Sequence, residues 1–171
     1  TAINHLIQLG HRKIAYIGET ERENRYRGYL DALSAENITV YKGYVSNVTL
    51  SSEGGYLGAK KLLEQNCDAT AYFCPNDMTA IGAMRAIQEA GYSIPGDISI
   101  ISIDDIETAQ YLNPMLTTVH IPIEEMGQMA AKTLIDRIEG GHSLPMKINL
   151  PFYIANRESC GPAHPLRQRE E

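Results

Sequence analysis

The sequence has no long apolar run, few cysteines and no excess of positive charge, and each absence excludes a class of protein. No stretch reaches the about 18 consecutive apolar residues of a membrane-spanning helix, and residues 1–10 lack the pattern of a secretory signal. The net charge of −6 argues against direct binding of nucleic acid, which requires a cationic face. The composition is that of a globular protein, and 171 residues suffice for about one domain.

Cysteine and histidine are present without the spacing of metal ligands. The cysteines are odd in number (Cys67, Cys74 and Cys160), which favours a reduced, cytoplasmic setting, with one disulfide as the alternative. We therefore predict neither a metal site nor a cofactor. The five histidines are His5, His11, His120, His142 and His164.

Signatures of catalysis are also missing. The sequence has no G-x-S-x-G elbow, no Walker A motif and no G-x-G-x-x-G after a strand. Gly54, Gly55 and Gly58 are spaced somewhat like a phosphate-binding loop, but no Lys-Ser or Lys-Thr pair follows them. We interpret these glycines as points of close helix packing, and we predict that the chain is not an enzyme because no nucleophile–base pair is evident.

Apolar runs rich in β-branched residues alternate with segments of helical period. This order, with short connections, predicts an α/β fold in which helices cover both faces of a parallel sheet. The run at 98–103 is apolar at almost every position, as a central strand must be. Strands are predicted at 13–17, 39–45, 70–74, 98–103, 116–119 and 147–154, and helices at 2–9, 25–35, 52–65, 77–90 and 122–139.

Polar side chains follow three of the predicted strands, where ligands bind in such sheets. Arg25 offers a five-donor fork suited to vicinal hydroxyls or a carboxylate, and Asn76 offers both a donor and an acceptor. Asp104 can accept hydrogen bonds from ligand hydroxyls. Because neighbouring residues of an extended chain point opposite ways, we expect only one of Asp104 and Asp105 to face the cleft. Their convergence predicts a binding site for a hydroxylated ligand.

Each of these residues also has a purely structural interpretation. Asn76 or Asp77 can cap the helix that follows, and the Asp104–Asp105 pair can cap a loop or helix. Arg25 can be an ordinary solvated surface residue. Taken singly, the structural and the functional interpretations of each residue stay open.

Several segments, in this order and spacing, resemble the effector-binding domain of the LacI/GalR family of bacterial transcription regulators. The similarity covers nearly the whole chain as far as Ser159. The segments are LIQLGHRKIAYIG at 6–18, RYRGYLDAL at 25–33, ATAYFCPNDMTAIGAM at 69–84, IPGDISIISIDD at 94–105, PMLTTV at 114–119 and MGQMAA at 126–131.

The resemblance implies a two-lobed fold of the periplasmic-binding-protein type, with the C-terminal lobe nearly complete and the N-terminal lobe partial. It assigns helices of the N-terminal lobe to residues 1–10 and 119–145. It assigns the C-terminal effector-binding lobe to 11–118, its return strand to 146–160 and a flexible tail to 161–171. A helix-turn-helix headpiece and the start of the N-terminal lobe are expected upstream, as the missing initial methionine also suggests.

The resemblance also implies site residues and partners. Arg25, Asn76 and Asp104 match positions that hydrogen-bond the effector in this family. Leu50 stands where the family often has an aromatic residue that stacks on a sugar ring, which makes Tyr44 or Tyr56 a candidate replacement. The implied partners are a small-molecule effector such as a sugar, a second copy of the chain, and operator DNA through the headpiece.

Three functions follow from these patterns. We expect the effector-sensing and dimerisation part of a LacI/GalR-type regulator. The alternative is a periplasmic sugar-binding receptor of a transport system, against which Pro95-Gly96-Asp97 and the later LTTV at 116–119 favour the regulators. A sugar-modifying enzyme is the third, and it lacks an identifiable nucleophile and base.

Overall fold

The computed structural model describes residues 1–164, which form a six-stranded sheet with helices on both faces. The strand order is β2-β1-β3-β4-β5-β6; the first five strands are parallel and β6 is antiparallel to β5. Two short 3-10 helices cover Lys42–Tyr44 and Glu107–Tyr111. The strands are β1 (Ile14–Gly18), β2 (Val45–Asn47), β3 (Ala71–Phe73), β4 (Ser99–Asp104), β5 (Thr117–His120) and β6 (Tyr153–Ala155), and the helices are α1 (Ala2–Gln8), α2 (Asn24–Ala35), α3 (Ser52–Glu64), α4 (Asp77–Glu89) and α5 (Ile123–Ile138).

The central strands are buried on both faces, as the predicted parallel sheet requires. Along β1, Ala15 and Ile17 join the core cluster that includes residues of α3 and α4, whereas Ile14 and Tyr16 join the cluster that includes residues of α1 and α2. Alternate side chains of a strand point to opposite faces, so one strand contributes to both cores. The predicted α/β architecture is confirmed.

Helix α1 is part of the body of the sheet. Its side chains Ala2, Ile3, Leu6 and Ile7 are buried in the same cluster as residues of α2, β3 and β4. Packing therefore ties α1 to the face of the sheet that α2 covers, and the assignment of residues 1–10 to the N-terminal lobe stays a prediction. The other predicted lobe boundaries stay predictions.

The glycines of α3 lie at close contacts between backbones and side chains. A Cβ atom on Gly55 would lie 1.9 Å from the carbonyl oxygen of Thr79 in α4, and one on Gly58 would lie 2.6 Å from Cγ2 of Ile17. No side chain fits at such distances, so glycine is what allows the approach. The interpretation as packing points rather than a phosphate loop is confirmed.

Helix α5 and the segment after it differ from the central body. None of the α5 residues is buried, and the apolar stripe that includes Ile123, Leu134 and Ile138 is exposed.

The strand predicted at 147–154 is shorter and later in the structure, because only Tyr153–Ala155 pairs with β5. Similarly, β2 starts at Val45, the last residue of the predicted strand at 39–45, since pairing with β1 begins there. No helix within residues 1–164 has the length and apolarity to cross a bilayer.

The amino edge of the sheet is held together by His11. Its ring nitrogens lie 2.8 Å from Oγ1 of Thr70 and 3.1 Å from both Oγ of Ser99 and the carbonyl oxygen of Gly161. Burial lowers the pKa of His11, which favours the neutral ring. Gly161 and Ala163 also donate backbone hydrogen bonds to the body, so the start of the predicted flexible tail is attached; residues 165–171 lie outside the described residues.

Candidate functional site

The strand order creates a crevice at the carboxyl edge of the sheet. Strands β2 and β3 lie on either side of β1, so the chain leaves β1 in one direction and β3 in the other. In open α/β sheets this switch point is where the loops diverge and a ligand can enter. The carboxyl ends of β1, β3 and β4 all lie at this edge. Arg25 follows β1 in the first turn of α2, Asn76 follows β3 at the cap of α4, and Asp104 is the last residue of β4.

Arg25 lies in the first turn of α2 and is held by three acceptors. Its Nε and Nη2 each donate to the carboxylate of Glu23 at 2.9 Å, and its Nη1 donates to the carbonyl oxygen of Pro75 at 2.7 Å. Glu23 also caps α2 by accepting from the backbone N–H of Arg25. The bond to Pro75 brings Arg25 next to the loop of Asn76 at the β1/β3 switch point.

Asn76 is the N-cap of α4. Its Oδ1 accepts from the backbone N–H of Thr79 at 2.9 Å, which satisfies one of the free donors of the first turn. Its Nδ2 donates to the carbonyl oxygen of Leu50 at 3.5 Å, a long bond that leaves the amide able to donate elsewhere. The structural interpretation of Asn76 is therefore correct, and it leaves donor capacity at the edge of the crevice.

Asp104 and Asp105 end β4 in an unusual backbone conformation. Their φ angles are +123° and +60°, a region that non-glycine residues rarely occupy and that costs about 1–3 kcal/mol each. Asp105 is held by Nη2 of Arg157 at 2.5 Å and Nδ1 of His120 at 2.9 Å. This clamp from β5 and from just beyond β6 fixes the turn that sends the two carboxylates in different directions. The separation comes from positive φ angles rather than from the extended chain that we expected.

The Asp104 carboxylate is left available. None of the residues from 1 to 164 donates a hydrogen bond to its side chain, although it is half-buried. Burial and the negative charge of Asp77 raise the pKa of Asp104 to about 6, while Arg25 opposes the rise. A half-buried carboxylate without a donor is suited to accept hydrogen bonds from ligand hydroxyls.

Asp77 holds together the segments that carry the candidate site. It is fully buried at the start of α4, and its carboxylate accepts from Oγ of Ser102 at 2.5 Å, Oγ1 of Thr118 at 2.6 Å and the backbone N–H of Ile106 at 2.8 Å. These bonds join α4, β4, β5 and the loop after Asp104. Asp77 thus fixes the positions of the segments that carry Asn76 and Asp104.

Residues 3–160 match the model of the periplasmic binding protein-like domain. The chain belongs to this family. The ribose operon repressor of Haemophilus influenzae is 43% identical over 142 residues, which are 81% of this chain and 43% of the repressor. The repressor PurR of Yersinia enterocolitica is 36% identical over 170 residues, 96% of this chain and 50% of that protein.

A solved structure of the same type closely matches the fold. A LacI family transcriptional regulator from Enterococcus faecium with bound ribose superposes with a TM-score of 0.86 and 36% identity, covering 94% of this chain and 61% of that one. The resemblance to LacI/GalR regulators is therefore confirmed. This periplasmic binding protein-like domain spans about half the length of the curated relatives it matches.

A cavity of about 250 Å³ in the periplasmic binding protein-like domain lies beside Arg25. Arg25 lines it together with apolar side chains that include Phe73, Ile103 and Phe152, whereas Asn76 and Asp104 do not. The cavity thus adjoins the crevice on the α1/α2 side of the sheet. Within residues 1–164, no cluster of three or more histidine, cysteine or acidic side chains is arranged to hold a metal ion.

The two tyrosines considered as replacements at Leu50 are engaged elsewhere. The hydroxyl of Tyr44 bonds Asp68, which precedes β3 at the amino edge, and the hydroxyl of Tyr56 donates to Glu89 at the end of α4. Neither hydroxyl lies at the carboxyl edge of the sheet. These contacts do not support either tyrosine as the replacement, which stays a prediction.

Replacing Asp104 with asparagine is expected to stabilise the unliganded protein at pH 7.5 by about 1 kcal/mol. The folded pKa of about 6 lies above the ordinary value of 3.8, so the protonated form is favoured by folding. The stabilising contribution of the protonated Asp104 is complete below pH 3.8 and is lost as the pH rises through 6. Asparagine stays neutral and tolerates positive φ. Urea denaturation from pH 5 to 8 should show the gain shrinking as the pH falls.

The neighbouring substitution Asp105→Asn is the matched control. It removes the same charge one residue away, but it breaks the ion pair with Arg157 and the contact with His120. We therefore expect it to lower the free energy of unfolding at pH 7.5. If both variants shift stability in the same direction, the difference we assign to the two carboxylates is wrong.

Proposed function

We propose that this chain is the effector-sensing and dimerisation part of a LacI/GalR-type transcription regulator. It binds a small hydroxylated ligand, a sugar or sugar derivative, in a cleft between two lobes. Binding changes the relative populations of two lobe arrangements and so modulates DNA binding by a helix-turn-helix headpiece outside this chain. The observation that carries the proposal is the meeting of Arg25, Asn76 and Asp104 at the β1/β3 switch point.

The relatives support this function over the alternatives. The similar proteins named above are repressors, and one related regulator holds ribose. A periplasmic transport receptor is accordingly not favoured. Regulators of this type act in the cytoplasm, typically as homodimers, and without catalysis, and we extend these properties to the present protein.

A thermal-shift screen of the full-length protein tests the ligand class. The panel consists of neutral sugars, sugar phosphates and nucleosides. A ligand that binds only the folded state raises the melting temperature by mass action, by an amount that grows with its concentration. A panel without a single hit would count against effector sensing, and turnover of a sugar would identify an enzyme instead.

Arg25→Ala and Asp104→Ala should each weaken the binding of the identified effector about 10- to 100-fold. Each variant removes a charged hydrogen-bonding partner, which is worth about 1.5–3 kcal/mol in a desolvated site. Calorimetric titration of the full-length protein measures the loss, and an unchanged far-UV spectrum verifies folding. Arg85→Ala is the control, because Arg85 lies on the exposed side of α4 with Glu89. Unchanged affinity in either site variant would remove that residue from the site.

A further inference from the structure

The charge of Arg25 is already matched within the chain. Its guanidinium forms a two-pronged ion pair with Glu23, whose side chain is only 13% exposed, and it spends a third donor on Pro75. The hydrogen bonds that Arg25 donates to the Glu23 carboxylate raise the pKa of Arg25, and the charge of Asp104 adds to the rise. Arg25 therefore keeps N–H groups that these three bonds do not use, but its positive charge is already paired with Glu23.

The rest of this edge is negatively charged. Residues 19–25, together with Asp77 at the start of α4 and Asp104 at the end of β4, carry five carboxylates and two guanidinium groups, a formal total of −3. The nearby cation Arg157 is used by Asp105. The carboxylates are those of Glu19, Glu21, Glu23, Asp77 and Asp104, and the guanidinium groups are those of Arg22 and Arg25.

Helix N-termini at the same edge do not reverse this balance. Helices α2, α3 and α4 all start here, and free helix starts attract anions. Each of these starts is occupied by a side chain of its own, namely Glu23, Ser51 and Asn76. The first turns of α3 and α4 also carry Glu53 and Asp77, so their partial positive charge is offset.

We propose that Glu23 is a specificity-determining residue that restricts this site to neutral, polyhydroxylated ligands and disfavours phosphorylated or carboxylated sugars. The inference rests on the proposed function and names the ligand class of the same site. A neutral hydroxyl can accept from the remaining N–H groups of Arg25 and donate to Asp104. A phosphate that approached Arg25 would be repelled by the carboxylates of Glu23 and Asp104. The guanidinium group that would otherwise bind it is already paired with Glu23.

The test compares each neutral sugar with its phosphate ester on the full-length protein. The probes are D-ribose with D-ribose 5-phosphate and D-glucose with D-glucose 6-phosphate, titrated calorimetrically at low salt. For whichever sugar the protein binds, we expect the neutral sugar to bind at least about tenfold more tightly than its phosphate ester. An ester that binds as tightly as its parent sugar overturns the inference and leaves effector sensing intact.

Glu23→Gln tests the residue itself. The amide keeps an oxygen for capping α2 but removes the charge that neutralises Arg25, so the preference for the neutral sugar should shrink about tenfold. Glu21→Gln makes the same change at an exposed position two residues away, where we expect less than about a twofold effect. If Glu23 only positioned Arg25, the substitution would change the affinity for the neutral sugar and the affinity for its phosphate ester by the same factor. An unchanged ratio in Glu23→Gln therefore refutes the assignment.

Melting curves without ligand show whether each variant is folded. If no sugar, neutral or phosphorylated, raises the melting temperature of the wild-type protein, the proposed function fails and the inference falls with it. If an ester is the only binder, the inference alone fails.

Discussion

Gly82→Ala is expected to lower the free energy of unfolding by about 3 to 5 kcal/mol, the largest effect of any single methyl group that we predict. A Cβ atom on Gly82 would lie 1.8 Å from the carbonyl oxygen of Ser52 and 2.8 Å from the backbone nitrogen of Tyr56. Both obstacles are backbone atoms of α3, which cannot rotate aside as a side chain can. The helices would have to separate, and the separation would open the core beneath them.

The close approach is reciprocal, which is why relaxation is costly. Gly55 of α3 faces the backbone of Thr79 in α4, while Gly82 of α4 faces the backbone of Ser52 in α3. Moving α4 away at Gly82 would also break the fit at Gly55 and expose the buried methyl groups of Ala59 and Ala83 in the same cluster. Thermal melting should show a fall of roughly 10 °C for a chain of this size.

Gly28→Ala is the matched control for this substitution. Gly28 is also within a helix, α2, but no atom beyond its chain neighbours and the adjacent backbone of that helix lies within 4 Å of where its Cβ would be. Alanine there should stabilise the helix by about 0.5–1 kcal/mol, since glycine has the greater backbone entropy to lose. A similar loss of stability in both variants would show that helix propensity, and not the α3–α4 contact, governs the result.

The sheet and its helices could be predicted because each has a local signal. The run at 98–103 predicts the buried strand observed as β4, and Asn76 marks the start of α4 at its cap. Whether an amphipathic helix packs against this sheet or stays exposed has no such local signal. The apolar residues of α1 and α5 form similar stripes, yet α1 is buried against the sheet and α5 is exposed.

The site was only partly predictable for a related reason. Arg25, Asn76 and Asp104 follow strands, so their meeting at one edge follows from a parallel sheet. The charges that surround these three residues cannot be predicted in this way, because they depend on contacts between distant parts of the chain. Arg157 lies 52 positions from its partner Asp105, and no sequence pattern pairs them. The pairing of Glu23 with Arg25 could have been predicted, because an acidic residue two positions before a candidate ligand arginine is visible in the sequence.

Asp77→Ala is expected to destabilise the fold by about 3 kcal/mol and to disturb the site as well. The substitution leaves the buried hydroxyls of Ser102 and Thr118 and the N–H of Ile106 without their acceptor. An unsatisfied buried donor costs about 1–3 kcal/mol, and part of this cost is recovered when the alanine site relaxes or admits water. Urea denaturation of the full-length protein measures the loss.

Asp77→Asn separates the charge of Asp77 from its shape. Its amide oxygen can still accept from Ser102 and Thr118, which both bond the same carboxylate oxygen, but its NH2 group faces the N–H of Ile106. We expect a smaller loss, about 1–2 kcal/mol. Burial raises the pKa of Asp104 most and the charge of Asp77 adds to the rise, so that pKa should fall below about 6 in this variant while staying above its ordinary value.

Carbon-13 NMR titration of the Asp104 carboxyl group, repeated in Asp77→Asn, reads the pKa change directly. Asp31→Asn removes the same charge from the exposed surface of α2 and should change stability by less than about 0.5 kcal/mol. A pKa of Asp104 that stays at about 6 in Asp77→Asn would mean that burial alone raises it. A loss of stability no greater than that of Asp31→Asn would mean that Asp77 does not hold α4 to β4 and β5.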